Sequence, residues 1–429
     1  MEAFYILHSE GEVLIERQFK STKNRAIVLD FMVEYSKSKA VVDQTSESAA
    51  PMIKIEDAYC FYTRSLDCIY LVITKVDYAP VSIFEIIYRV IKSLKYTFKH
   101  PNSELIKDNF TSILEMIDEA LDAGLPFTND EVVLDTIIKP HDFMNKMSDL
   151  LTGKPSLEKS QQIENHVSSL LSSDEPWRTP GGKYTTNECY IDVIEYMTAT
   201  IDKDGSLYNA IVNGEFQVRC QLSGDPSLVL KGTFPTDFLH YSMHKCGLIR
   251  RKRFEEEKVL SFTPPNATFV LMSYTADPTG CTLPFNVYPI VSVQTKGAKF
   301  SLKLEKKPVT GKKVILEELR VEIRFPLDVE DVVLTSTHGK FIMNERSNSG
   351  TWKLGTLPNE GPVELSGDIT AKNTTTMQDH GIFCNFLFQN AGTSWTGTKV
   401  DKLEVRGVKY NPYKGARCLA RTSSVELHL

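Results

Sequence analysis

The stretch from Trp177 to Leu222 reads WRTPGGKYTTNECYIDVIEYMTATIDKDGSLYNAIVNGEFQVRCQL. It predicts three strands in succession. Asp204-Gly205 separates the first from SLYNAIV, and Asn213-Gly214 separates SLYNAIV from EFQVRCQL. Asp-Gly and Asn-Gly supply the positive φ angles that tight hairpins require. In EFQVRCQL, Phe216, Val218, Cys220 and Leu222 alternate with Glu215, Gln217, Arg219 and Gln221, the pattern of a half-buried antiparallel strand. Ser223-Gly224-Asp225-Pro226 ends the meander. Asp192 interrupts CYIDVI, an otherwise apolar run. It shares a parity with Tyr190, so both side chains leave the strand on one face. With Arg219 on the polar parity of a nearby strand, an aromatic ring, a carboxylate and a cation converge on one sheet. The alternative for Asp192 is a position on a solvated face.

Several segments carry a resemblance. W-R-x(4)-KY-x(2)-NE-x(3)-DVIE resembles the opening of the mu-homology domain, the cargo-reading half of the medium subunits of clathrin-adaptor-type complexes. LSGDPSL, HKCGLIRRKRFEEEKVLSFTPPNATFVLMSY, TWKLGTL and KVDKLEVRGVKYNPYKGARC are similar to later segments of that domain, in order, from residue 177 to 418.

Composition bounds the function classes. The chain has 429 residues, 41% hydrophobic and 24% charged, ordinary globular material with room for two or more cores. A net charge of −6 argues against a general nucleic-acid binder. No apolar run approaches the roughly 18–20 residues of a membrane span. The opening MEAFYILHSEGEVL alternates like a strand and lacks a signal peptide's layout. The eight cysteines are scattered without a C-x-x-C pair, which points to a reducing cytosolic compartment. In that compartment the N-x-T sites at Asn266 and Asn373 go unused.

Residues 1–139 predict an α+β domain. Ser9-Glu10-Gly11 and Ser65-Leu66-Asp67 mark hairpins, and residues 23–36 read as a helix. Ser82 and Glu85 have capping-box spacing, ahead of a helical face of Ile83, Ile86, Ile87, Val90, Ile91 and Leu94. A further helix after Pro101-Asn102 has the stripe Ile106, Phe110, Ile113, Leu114, Ile117 and Leu121, with Gly124 as its stop. This region resembles the longin-type amino-terminal domain of the same subunits. Residues 140–176, rich in Ser, Lys, Gln and Glu, predict a linker, with Thr152, Ser156 and Ser160 as candidate phosphorylation sites. Residues 177–429 hold many short alternating runs and no long helical period, so an all-β domain follows. The resemblance implies the mu-homology form: an elongated pair of β-sandwich subdomains.

No catalytic constellation survives inspection, and no cofactor or metal is expected. GTSWTGTK at residues 392–399 misses the P-loop, because Thr398 precedes Lys399 and no strand–helix context surrounds it. His240 and His244 have zinc-helix spacing without the intervening Glu. No G-x-S-x-G or G-x-G-x-x-G occurs. Arg250 to Arg253 precede Glu255 to Glu257 and read as a solvated charged turn. Lys296, Lys299, Lys303, Lys306, Lys307, Lys312 and Lys313 form a longer basic stripe. It reads either as a lysine-decorated sheet surface or as a face toward an anionic membrane.

Medium subunits bind Tyr-x-x-Φ sorting signals, Φ being a bulky apolar residue. The resemblance places the tyrosine pocket on Tyr190, Asp192, Arg219 and Arg417, and the Φ pocket on Cys189, Ile191, Val400, Leu403 and Ala416. The signal binds as an added edge strand, and its Tyr and Φ point opposite ways. CYIDV, with both parities available, is the expected receptor strand. Two departures stand out: Tyr190 where Phe is common, and Gly415 where the plasma-membrane type has Trp. Gly415 and the NPYKGARC run are most similar to the medium subunit of the third adaptor complex. The resemblance implies a heterotetramer with two large subunits and one small one. It also implies peripheral attachment to Golgi or endosomal membranes and coated vesicles, and transport toward lysosome or vacuole. The alternatives are a structural subunit with a dead pocket, or a medium subunit of another adaptor complex.

Overall fold

The computed structural model describes residues 1–20, 24–45, 50–128, 130–135, 175, 177–178, 182–202, 204–234, 238–277, 281–294, 296–307, 315–326, 329–344, 348–359, 361–371 and 381–429. The proposed linker, with Thr152, Ser156 and Ser160, lies almost wholly outside them, as do Lys312, Lys313 and Asn373. The chain divides into two units, Met1–Trp177 and Arg178–Leu429.

The first unit runs β1 (Ala3–His8), β2 (Val13–Gln18), α1 (Asn24–Thr45), β3 (Met52–Ile55), β4 (Ala58–Ser65), β5 (Cys68–Thr74), α2 (Pro80–Phe98), α3 (Ser103–Asp108), α4 (Phe110–Ala120), β6 (Leu121–Asp122) and β7 (Leu125–Pro126). An antiparallel sheet in the order β2-β1-β5-β4-β3 forms its centre. Alternation decides its two faces. Tyr5, Leu7, Tyr62 and Leu71 pack with Phe31 and Val28 of α1. Phe4, Ile6, Phe61 and Val72 pack with Ile87, Ile113 and Ile117 of α2 and α4. Both faces are covered, so every residue of β5 is buried and its run reads as continuously apolar.

Local predictions here need four corrections. The capping box does not form: Pro80 opens α2 with Ala79 as its cap, Ser82 lies inside, and Glu85 pairs with Arg89 at 2.6 Å. The third helix breaks at Asn109, whose side-chain amide donates to the Leu105 carbonyl at 2.9 Å, and Phe110 is left exposed. Helix α4 ends at Ala120, and Gly124 (φ 82°) sits instead in the turn of the β6–β7 hairpin, against Met1. Asn102 does cap α3, accepting from the Leu105 N–H at 3.0 Å. Helix α1 runs well past residue 36, to Thr45.

The second unit runs β8 (Glu188–Ile201), β9 (Leu207–Gln221), β10 (Ser227–Thr233), β11 (Phe238–Met243), α5 (Lys245–Leu248), α6 (Arg251–Glu257), β12 (Val259–Phe262), β13 (Thr268–Ala276), β14 (Phe285–Gln294), β15 (Gly297–Lys306), β16 (Ile315–Arg324), β17 (Val329–Ser336), β18 (Lys340–Asn344), β19 (Ser349–Gly355), β20 (Val363–Ala371), β21 (Phe383–Ala391), β22 (Lys399–Arg406) and β23 (Tyr413–His428). A nine-stranded sheet, β11-β13-β9-β8-β23-β21-β16-β19-β18, is its backbone. A four-stranded sheet, β14-β15-β20-β17, and a three-stranded one, β12-β10-β22, accompany it. Met197, Ala199 and Ile201 of β8 join Phe300, Leu302, Trp352 and Phe386 in one core. Cys189, Ile191 and Val193, on the same parity, are fully buried farther up the strand. There, on the adjacent strand, Phe216 packs on Phe234, and Phe234 packs edge-on to Phe254 of α6. The inner face of β8 thus serves two successive apolar layers, with Glu195 between them.

Asp204-Gly205 turns β8 into β9, with Gly205 at φ 84°. Asn213-Gly214 does not turn. Both lie within β9, opposite Tyr196 and Glu195. Gly214 is required by packing: a Cβ there would fall 2.2 Å from Cζ of Tyr274. Tyr274 uses that space to donate a 2.6 Å hydrogen bond to Glu195. The GTSWTGTK loop completes the arrangement. The N–H groups of Trp395 and Thr396 donate to Glu195 Oε2 at 2.5 and 3.0 Å, and the Thr396 hydroxyl donates to Oε1 at 2.5 Å. A loop that nearly matches a phosphate-binding motif here cradles the protein's own buried carboxylate. Arg178, 3% exposed, fixes the start of the unit by donating to the carbonyls of Leu222, Gly224 and Pro264.

Candidate functional site

A cleft of about 550 Å³ opens on the outer face of the nine-stranded sheet. Four adjacent strands line it, and three of them carry its charged residues. Parallel pairing of β23 with β8 sets Gly415 beside Tyr190 and Arg417 beside Asp192. Antiparallel pairing of β8 with β9 sets Arg219 beside Tyr190 and Gln217 beside Asp192. All these residues share the outward parity, so Tyr190, Asp192, Arg219 and Arg417 meet, the grouping that the resemblance implied. The Arg219 guanidinium lies over the Tyr190 ring, 4.9 Å from its centroid. Arg417 grips Asp192 bidentately, with Nε to Oδ1 and Nη2 to Oδ2 both at 2.7 Å. The hydrogen bond and charge of Asp192 raise the Arg417 pKa above its ordinary value, so the guanidinium stays charged. A carboxylate offers about four acceptor sites, and Arg417 takes two. Arg219 makes no ion pair among the described residues. Two cations therefore face one carboxylate.

The residues expected to form the Φ pocket do not all line the outer cleft: Cys189 and Ile191 lie on the inward parity of β8. Cys189 and Ile191 are fully buried, and Leu403 is 8% exposed. Val400 and Leu403 come from β22, tied to β23 by the Lys414 ammonium, which donates to the Leu403 carbonyl at 3.0 Å. Ala416 is exposed and also lines the outer cleft. Cys189 and Cys220 are register partners, and a hydrogen bond to Cys189 together with burial pushes the Cys220 thiol far up, keeping it protonated.

The receptor strand needs correction. β8 is hydrogen-bonded to β9 on one side and β23 on the other, so CYIDV has no open edge. The open edge is on β23. Its pairing with β21 covers Leu419–Arg421 and Glu426–His428, whereas Tyr413–Arg417 pairs only with β8 among the described residues. An extended peptide laid there alternates between the outer cleft and the side where Leu403 and Val400 lie.

Sequence reasoning missed Gln217 and Thr268, which also line the cleft. Gln217 was legible, since it shares the polar parity of Arg219. Thr268 was not, because its pairing with Arg219 depends on β13 joining the sheet.

His244 and the Arg250–Arg253 run have local structural roles. His244 caps α5, with Nδ1 3.1 Å from Cys246 Sγ, and no cluster of three metal-ligating side chains occurs among the described residues. Arg251 and Arg253 pair with Glu255 and Glu257 along α6. Lys299 and Lys303 share one face of β15, where Lys303 approaches Glu364 at 3.8 Å, while Lys306 donates to Asn359. No described helix is long and apolar enough to cross a membrane.

Comparison with known proteins bears on this cleft. Residues 175–429 match the model of the adaptor complexes medium subunit family. AP-3 complex subunit mu of Arabidopsis thaliana is 28% identical over 432 residues, covering all of both chains. AP-3 complex subunit mu-1 of Homo sapiens is 27% identical over 430 residues, covering 100% of this chain and 99% of that one. A chain of a homology model of the full-length AP-3 complex in an intermediate open conformation superposes with a TM-score of 0.57. It is 16% identical and covers 100% of this chain and 99% of its own, which shows the fold. An α+β unit, an all-β unit with its two-cation cleft, and a family match spanning that second unit agree: the chain belongs to the adaptor complexes medium subunit family.

Proposed function

We propose that this chain is the cargo-reading medium subunit of an AP-3-type coat adaptor and binds Tyr-x-x-Φ signals in cytosolic tails of membrane proteins. The observation that carries the reading is the Asp192 carboxylate, set between Arg417 and the Arg219–Tyr190 stack, beside the open edge at Tyr413–Arg417. The signal adds as a strand to that edge. Its tyrosine passes over Gly415 into the outer cleft, where the phenol donates to a free acceptor site of Asp192. Its Φ residue turns to the opposite side, toward Ala416, Leu403, Val400 and, beneath them, Ile191 and Cys189.

The full-length similarity to AP-3 mu subunits supports assembly with two large subunits and one small one. It also supports sorting from Golgi or endosomes toward lysosome or vacuole, with Lys296, Lys299 and Lys303 facing the anionic membrane. The domain plan is a longin-type domain at 1–139, a linker at 140–176 and a mu-homology domain at 177–429. A second reading, a structural subunit with a dead pocket, draws on the bidentate Arg417 grip, which already engages Asp192.

Calorimetry with the full chain separates the two. A Tyr-x-x-Leu peptide binds, and replacing either its Tyr or its Leu by Ala abolishes binding. If all three peptides give no heat, the pocket is dead and the cargo reading fails.

A further inference from the structure

The open edge of β23 runs from Tyr413 to Arg417, five residues, and a Tyr-x-x-Φ signal fills four of those positions. Within the cargo reading, on which this inference rests, the direction of the signal fixes which position remains. Arg417 is the register partner of Asp192, which takes the phenol, so the signal's tyrosine lies at that level. The Φ side lies toward the other end of the edge. Cys189 is the register partner of Lys414, whose ammonium donates to the Leu403 carbonyl at 3.0 Å. The signal therefore runs antiparallel to β23, from Arg417 to Lys414, and its three-residue step matches theirs, about 10 Å of extended chain. The fifth position, opposite Tyr413, takes the residue that follows Φ. Alternation returns that side chain to the outer face, the parity that Tyr413 shares with Gly415 and Arg417.

The chemistry at that level favours a cation. Tyr413 is 69% exposed, and its hydroxyl forms no hydrogen bond among the described residues. Its backbone is held, because its N–H donates to the Asn187 carbonyl at 2.9 Å. Its register partner on β8 is Glu188, half-buried, whose carboxylate has no ion pair or hydrogen bond among the described residues. An aromatic face attracts a cation through its quadrupole, and a carboxylate beside it adds charge. The adjacent row of the same sheet face already holds such a stack, with the Arg219 guanidinium 4.9 Å from the centroid of Tyr190.

We infer that Tyr413 and Glu188 form a specificity subsite for a basic residue, arginine above all, immediately after Φ. The guanidinium lies on the Tyr413 ring and donates to the Glu188 carboxylate. An acidic residue at that position meets the same carboxylate and is rejected. Neither Tyr413 nor Glu188 lines the tyrosine cleft, so the subsite adds selectivity without using the groups that hold the phenol.

The test is fluorescence anisotropy with the full chain and labelled Gly-Ser-Tyr-Ala-Ala-Leu-Arg-Gly-Ser. Arginine after the leucine should tighten binding about three- to tenfold over alanine there, and glutamate should weaken it. Moving the arginine one residue farther on should lose the gain, since its side chain then points to the other face. Glu188→Gln and Tyr413→Leu should each bring the arginine-to-alanine ratio toward one. The ratio is read within each variant, so a general change in affinity does not disturb it, and thermal melting of both should match the parent. Equal affinity for the arginine and alanine peptides overturns the inference and leaves the Tyr-x-x-Φ reading standing. A gain that survives both variants, or that persists with the displaced arginine, is long-range attraction and overturns it too. No binding of any of these peptides removes the inference together with the reading beneath it.

Discussion

Replacing Glu195 by Ala should be among the most damaging single changes in the second unit. The carboxylate is fully buried and accepts from Tyr274, Trp395 and Thr396, the last through both N–H and hydroxyl. Alanine leaves those donors facing a gap. A buried donor without an acceptor costs about 1–3 kcal/mol. Trp395 and Thr396 are only part-buried, so water can serve them, whereas Tyr274 is 3% exposed and sealed over Gly214. Counting Tyr274 in full and the loop amides at a fraction gives roughly 3–5 kcal/mol, the scale of about two lost hydrogen bonds to a charged group. For a unit of this size that corresponds to a fall in Tm of about 6–20 °C. Calorimetric melting measures it. The double variant with Tyr274→Phe should be less than additive, since both changes remove the same hydrogen bond. A loss below about 1 kcal/mol, or full additivity, would refute the claim that Glu195 anchors the 392–398 loop. The anchoring reaches the site because that loop leads directly into β22 and so sets Val400 and Leu403.

Three further outcomes follow from single positions. Gly214→Ala should cost about 1–3 kcal/mol in urea unfolding, because the added methyl meets the Tyr274 ring. Gly415→Trp should weaken Tyr-x-x-Φ binding roughly five- to tenfold, because a Cβ there already comes within 3.2 Å of the Tyr190 ring that Arg219 covers; in a Tyr190→Ala background the loss should vanish. In the first unit, burial acts to raise the Asp67 pKa, but hydrogen bonds from the Ser103 hydroxyl and N–H outweigh it and hold the carboxyl below its ordinary value. A folded value below the unfolded one stabilises in full above about pH 4 and is lost as pH falls through the folded value, so Asp67→Asn should flatten the acid limb of the stability curve.

Much of the architecture was legible because it is local. Alternation placed Tyr190, Asp192, Arg219 and Gln217 on one face, and Asp204-Gly205 fixed the hairpin that holds them in register. Asn213-Gly214 carries an equally strong turn signal and misleads, since that glycine makes room for a ring from a distant strand. The open edge was hidden for a related reason. Nothing in CYIDV says that β23 will lie parallel to it and occupy its free side; that depends on the two ends of the domain meeting. Glu195 read as one more polar residue of a strand, because its partners come from β13 and from a loop that resembles a phosphate cradle. The resemblance to medium subunits supplied Arg417, which no local pattern brings next to Asp192.

The most direct test of the account is calorimetric titration of a Tyr-x-x-Leu peptide into the full chain and its Asp192→Ala variant. Removal of the carboxylate should weaken binding by about 1–3 kcal/mol, roughly five- to 150-fold, with thermal stability nearly unchanged because the group faces a cleft. Equal affinity of the variant and the parent would contradict the account and place the tyrosine somewhere other than between Arg417 and Arg219.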